Sequence, residues 1–177
     1  MVKMNGDGLW DRLKGDAEAE REVDKEKRVT LVGAKLAKAG EEFIFLGLPE
    51  KCEACKLKKS CANLEVGRRY RIEHVRDEIK HDCYIHEDGV RVVEVTEPPL
   101  KVAINAKHAL KSAKMVFKPA VADCEEGNLC HPAGLKEGDR CTILDVIDDA
   151  QGNDKMLKER GLKLVEVKRE GKKKINY

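Results

Sequence analysis

Eight short stretches of this chain read as strands, and several of them alternate apolar and polar residues, as a strand does when it sends successive side chains to opposite faces. "RVTLVG" (28–33) and "KVAIN" (101–105) form a first pair. "EFIFLG" (42–47) and "KMVFKP" (114–119) form a second, the latter stopped by Pro119. In "LEVGRRYRIEHV" (64–75) and "LKEGDRCTILDV" (135–146), a Leu-x-x-Gly turn leads into an alternating strand. Gly67 and Gly138 suit a turn that needs positive φ. "GVRVVEV" (89–95) and "GLKLVEV" (161–167) complete the set. Between the first and second strands, the Ala/Lys-rich segments 34–39 and 106–113 predict one or two helical turns.

The pairs recur in the same order, which identifies an internal duplication. Ala34 and Lys35 fall on Ala106 and Lys107, and Phe45 falls on Phe117. Cys55 and Cys61 fall on Cys124 and Cys130, each pair spaced Cys-x5-Cys. Leu64, Gly67, Ile72 and Val75 then fall on Leu135, Gly138, Ile143 and Val146, with an offset that stays between 69 and 72 residues. The predicted architecture is a β-rich α+β fold of two duplicated β units with pseudo-twofold symmetry. A partly closed, barrel-like arrangement would hide the sheet edges. The expected division is a charged N-terminal extension (1–27), a first repeat with a cysteine cluster (28–99), a second repeat (100–168) and a basic tail (169–177). In the extension, Leu9, Trp10 and Leu13 can make one amphipathic turn, while the residues that follow are polar on every side.

Composition narrows the class. The 177 residues are 41 % hydrophobic but hold only three Phe, three Tyr and one Trp, so the core must be mainly aliphatic. Charged residues reach 38 % and nearly cancel, at a formal +2. The whole-molecule field therefore does not imply a polyanion partner. Many Lys, Arg and Glu with a single Gln is a hyperthermophile pattern. No apolar run is long enough for a membrane span, and the N-terminus lacks the apolar core of a signal peptide. A cytoplasmic protein without membrane contact is expected, and in that reducing setting seven cysteines suggest metal ligands or reactive thiols before disulfides.

The duplication sorts those cysteines. Cys141 falls on Tyr70 inside a predicted strand and is expected to be a small buried residue. Cys55, Cys61, Cys124 and Cys130 occur in both copies, whereas Cys52 and Cys83 belong to the first alone. Two arrangements follow. Cys52, Cys55, Cys61 and Cys83 form a four-thiolate site within copy one, or the two Cys-x5-Cys pairs meet across the pseudo-twofold. Cys52-x2-Cys55 is a short turn used by zinc and iron–sulfur sites alike. Structural zinc commonly uses two such turns, so one turn followed by x5 and a distant cysteine favours an iron–sulfur cluster over zinc. His86 and His131 are further possible ligands, with a surface or supporting role the plainer reading.

The first cysteine loop is also basic. Lys56, Lys58, Lys59, Arg68, Arg69 and Arg71 stand against Glu65 alone, a net +5, while the matching stretch of copy two is net −2. These six residues are candidate anion contacts, for RNA phosphate or an acidic partner protein. Tyr70 and Tyr84 are the only aromatics available there for base stacking. No phosphate-binding glycine loop, nucleophile elbow or metalloprotease helix is present, so no residue takes a catalytic role. Three readings are carried forward: a cysteine-ligated metal protein with a redox or sensing role, a zinc-stabilised RNA- or ribosome-associated module, and an enzyme working through the metal. A homodimer formed through the repeat surfaces is compatible with each.

"VTLVGAKLAKAGEEFIFLG", then Cys-x2-Cys-x5-Cys-x-"NLEVGRRY", "HEDGVRVVEV" and Cys-x5-"CHP"-x-"GL"-x-x-"GD", together resemble the archaeal uncharacterised protein family 0179 over about residues 28 to 168. The charged N-terminal extension departs from that pattern. The resemblance implies an archaeal cytosolic protein with recurring cysteines and leaves the activity open.

Overall fold

The computed structural model describes residues 27–76, 79–120, 127–147 and 157–171. Eight strands are present among them: β1 (Arg28–Gly33), β2 (Glu42–Phe45), β3 (Arg68–Val75), β4 (Val90–Thr96), β5 (Leu100–Asn105), β6 (Lys114–Val116), β7 (Arg140–Ile147) and β8 (Leu162–Arg169). They form two four-stranded antiparallel sheets, ordered β1-β4-β3-β2 and β5-β8-β7-β6. Helix is scarce. Two single turns, α1 (Lys58–Cys61) and α2 (Gly127–Cys130), lie at matching places in the cysteine loops and pack on β1 and β5 respectively. The pattern is β-rich and consistent with duplication.

The likeness extends to register. Gly33 lies opposite Val90 in the first sheet, and Asn105 lies opposite Leu162 in the second, both positions moved by 72 residues. Each sheet carries an irregularity at the same place, after Ile72 and after Ile143. The Gly67 N–H donates to the Phe45 carbonyl as the Gly138 N–H donates to that of Phe117. Both glycines have positive φ, 78° and 89°, as their turns require.

The Ala/Lys-rich segments depart from expectation. The first is a single turn closed by the Leu36 and Ala37 N–H groups on the Gly33 carbonyl. The second is a 3₁₀ turn, Ala106–His108, whose Lys107 N–H is capped by the Asn105 side chain. Nothing longer fits, because the chain must reverse at Gly40 and Ser112 to enter β2 and β6. Both reversal residues have positive φ, and each N–H bonds back to the strand it meets, at Ile72 and Ile143.

Each sheet has its own aliphatic core. Val32, Ala37, Leu64, Tyr70, Ile72, Val93 and Val95 pack together in the first. Ala109, Leu135, Cys141, Ile143, Val165 and Val167 fill most of the corresponding places in the second. Cys141 is fully buried, as its match to a strand position implied. Tyr70 is also fully buried and its hydroxyl accepts the Glu65 N–H at 2.9 Å, so it offers no face for base stacking. Val is the commonest core residue because a β-branched side chain packs well on a pleated surface.

Charge joins the two copies. Arg68, 7 % exposed at its side chain, forms a two-pronged pair with Asp139 and donates to the Gly134 carbonyl at 3.1 Å. Arg169, 5 % exposed, grips both carboxylate oxygens of Glu97 and lies 3.4 Å from Glu65. Counting from the matched Ile72 and Ile143, Arg68 corresponds to Asp139. Counting from the matched strand ends, Glu97 corresponds to Arg169. Each pair therefore unites a position with its own counterpart. Among the described residues, no helix is long and apolar enough to cross a membrane.

Candidate functional site

The first cysteine loop is built outward from the free edge of β1. The Asn63 side-chain amide donates to the Val29 carbonyl, the Thr30 hydroxyl donates to the Ser60 carbonyl at 3.2 Å, and Arg28 reaches the Asn63 carbonyl. Leu64 then drops into the core. Strand edges left bare invite pairing, and here the loop covers this one. Within the loop, a 3₁₀ turn (Glu50–Cys52) brings Cys52 round, and the Cys55 N–H donates to the Cys52 carbonyl at 3.1 Å. Cys61 closes α1 with its N–H on the Leu57 carbonyl.

Cys83 arrives from a different segment. The chain between β3 and β4 is pinned by paired bonds between His81 and Val90, and by the Gly89 N–H on the His86 carbonyl. Cys83 Sγ lies 3.3 Å from His86 Nδ1 and 3.5 Å from the Ile85 N–H. The His86 ring rests against Gly33 of β1, where a Cβ would meet His86 Cδ2 at 2.5 Å.

The two segments meet at a cavity of about 280 Å³. Cys52, Cys61, Cys83 and His86 line part of it, and Leu31, Phe43, Phe45, Leu48 and Ile85 are among its apolar walls. Cys55 is not a lining residue, but its sulfur is near enough to act on its neighbours. Burial, followed by the Cys55, Cys83 and Cys52 thiols, pushes the Cys61 thiol up to about 11. Cys52 is raised likewise, by burial first and then by Cys83 and Cys55. All four thiols are free. The structure thus brings the four first-copy cysteines into one electrostatic neighbourhood. Among the described residues, no three Cys, His, Asp or Glu side chains already stand at the separation a single ion demands.

Copy two makes a different use of the same place. Ala103, Cys130, Leu157 and Leu162, which correspond to Leu31, Cys61, Ile85 and Val90, form a buried cluster with Leu164. Where the first copy has a cavity beside thiols, the second has aliphatic packing. Cys130 is completely buried there and disulfide-bonded, so its sulfur is not a thiolate in this structure. Cys124 lies outside the described residues. His131 is exposed beyond α2.

The candidate anion contacts divide. Lys56, Lys59 and Arg71 face solvent. Lys58 pairs with Glu53, and Arg69 lies half-buried beside Glu42 at 3.5 Å. Arg68 is turned inward to Asp139, leaving the solvent-facing set smaller than the sequence count. Tyr84 is 79 % exposed near Cys83, with exposed Leu46 and Ile85 also in this region. The role of Gly33 escaped the sequence reading, although one signal was there: its counterpart, Asn105, has a side chain.

No solved structure matches the chain. A UPF0179 protein of Pyrococcus horikoshii is 44 % identical over 146 residues, covering 80 % of this chain and 97 % of that protein. One of Methanocaldococcus jannaschii is 44 % identical over 131 residues, covering 72 % and 86 %. One of Methanosarcina barkeri is 39 % identical over 130 residues, covering 72 % and 87 %. The family model for UPF0179, described as an uncharacterised protein family, matches residues 28–167, a span that holds the cysteine loops and both sheets except the end of β8, and the chain belongs to that family.

Proposed function

We propose that Cys52, Cys55, Cys61 and Cys83 hold a metal centre, an iron–sulfur cluster in preference to zinc, and that the protein serves a redox or sensing role in a reducing cytoplasm. One observation carries the reading. Four free thiols from two distant segments come together, three of them (Cys52, Cys61 and Cys83) lining a cavity that copy two replaces with packed side chains. A stapled loop would not need them free, and a merely structural cysteine would not need the cavity. A cluster is wider than one ion, which suits thiols that influence one another electrostatically without standing at the separation of a single ion. Its apolar walls would shield a bound centre and tune it through low dielectric. When bound, an iron–sulfur cluster supplies one-electron exchange; the chain supplies four thiolates, a covered β1 edge that holds the loop, and a partly exposed approach beside Tyr84.

The finer architecture belongs to the same reading. We take the two sheets to be related by a pseudo-twofold and partly closed on each other. The meeting of Arg68 with Asp139, and of Glu97 with Arg169, supports this, because on such an axis a position meets its own counterpart.

The test is anaerobic purification, with iron, sulfide and zinc measured per chain beside the Cys61→Ser variant. Roughly four irons and four sulfides, lost in the variant, support the cluster. One zinc instead moves the role toward a structural site, and toward the rival in which Lys56, Lys59 and Arg71 contact RNA with a steep salt dependence. No metal in either protein rejects the centre.

A further inference from the structure

Cys83 differs from the other three thiols in its surroundings. Two nitrogens converge on its sulfur, His86 Nδ1 at 3.3 Å and the Ile85 backbone N–H at 3.5 Å. A thiolate can only accept, so a hydrogen bond from His86 to a ligating Cys83 uses the tautomer that carries its proton on Nδ1. The histidine is held for this contact from both sides. Its carbonyl takes the Gly89 N–H, and its ring lies close enough to β1 that a Cβ at position 33 would fall 2.5 Å from Cδ2. Gly33 has no positive φ to explain it, since its strand conformation is open to any residue. What it provides is space.

Copy two supplies an independent comparison. At an offset of 72, Gly33, Cys83 and His86 become Asn105, Lys155 and Lys158. The glycine, the cysteine and the histidine are lost together. Where the sulfur is absent, so are the ring and the gap that admits it. That coincidence is expected of parts that act on one another, and the stability of the strand register does not need it, since Asn105 pairs with Leu162 as Gly33 pairs with Val90.

We propose that His86 is a positioning residue for the centre, donating from Nδ1 to the Cys83 sulfur, and that Gly33 is the seat that fixes its ring. The inference rests on the metal reading above. A hydrogen bond to a ligating sulfur stabilises the more negative, reduced state, so it raises the reduction potential. His86 holds and aims a proton; it does not ligate.

The experiment compares the wild type, His86→Ala, His86→Asn, Gly33→Ala and the Gly33→Ala/His86→Ala double variant, all purified anaerobically. Iron and sulfide per chain and the midpoint potential are the readouts. The expected result is unchanged iron and sulfide throughout, with the His86→Ala preference for the reduced state falling about tenfold, about 59 mV for one electron. His86→Asn, whose amide can still donate, should recover part of the shift. Gly33→Ala should reproduce the loss by displacing the ring, and the double variant should add nothing further, as for two changes to one interaction. Loss of iron in His86→Ala would make the histidine a ligand and overturn the proposal. So would a potential unmoved by either single variant, or additive shifts in the double. A wild type without iron would fail the cluster reading itself, a result visible before any variant is made.

Discussion

Replacing Asp139 by Asn tests the charge that ties the two copies together. Asp139 sits 12 % exposed at its side chain and receives two guanidinium bonds from Arg68, which is 7 % exposed. It also accepts the Lys136 N–H at 2.7 Å. Asn keeps the shape but removes the charge and one acceptor, leaving Arg68 buried beside a neutral amide. Breaking a buried pair by removing one partner costs about 3–5 kcal/mol. Glu65, 3.7 Å from Arg68, remains to offset part of this, so the low end, about 3 kcal/mol, is expected. For a domain of this size each kcal/mol lowers the midpoint by about 2–4 °C, which gives a loss of about 6–12 °C. Guanidinium unfolding followed by circular dichroism gives the free energy, and thermal unfolding gives the shift. Arg68→Asp alone should cost at least as much, since it sets Asp beside Glu65. The exchanged pair, Arg68→Asp with Asp139→Arg, should recover stability over Arg68→Asp. An Asp139→Asn loss under about 1 kcal/mol, or no recovery in the exchange, would refute the view that this pair carries the contact between the copies.

The remaining predictions concern acid, one hydroxyl and one glycine. Burial alone would raise Glu65 and Asp139, but Arg169 and Arg28 hold the first below its usual value, and Arg68 with the Lys136 N–H holds the second. Folded values below unfolded ones give stability that is present above about pH 4 and lost as pH falls through the folded values. The guanidinium midpoint should therefore stay level from pH 5 to 7 and drop below about pH 4, with a smaller drop in Asp139→Asn. Tyr70→Phe removes the acceptor of the Glu65 N–H and should cost about 1–3 kcal/mol in the same unfolding assay. Gly134→Ala would set a Cβ 2.8 Å from Arg69 Cβ and 2.9 Å from its backbone nitrogen, at φ +105°. A loss of about 1–3 kcal/mol is expected, and a neutral result would mean that the contact between the copies yields easily.

What the sequence determined by itself is whatever repeats or alternates. Period-two patterning located several of the strands, and nine ordered matches at an offset of about 70 residues gave the duplication, from which two like sheets followed. The same alignment placed Cys141 inside a strand, where a small apolar residue is expected to be buried, and it is. Turn chemistry at Gly67 and Gly138 was legible because positive φ is a local demand. The helical turns of the cysteine loops were not, since four residues carry no periodicity and owe their shape to docking on β1 and β5.

Only the tertiary structure decided which charges are surface and which are interior. Arg68 read as part of a basic loop, although it alternates onto the same strand face as Tyr70 and Ile72; the partner that lets a charge be buried there is Asp139, 71 residues away. The meeting of Cys83 with the loop that holds Cys52, Cys55 and Cys61, and the fit of His86 over Gly33, likewise join segments tens of residues apart. Local preference acts over a few residues. Sheet register acts over the whole chain, and it is the register of β1 against β4 that brings these groups to one place.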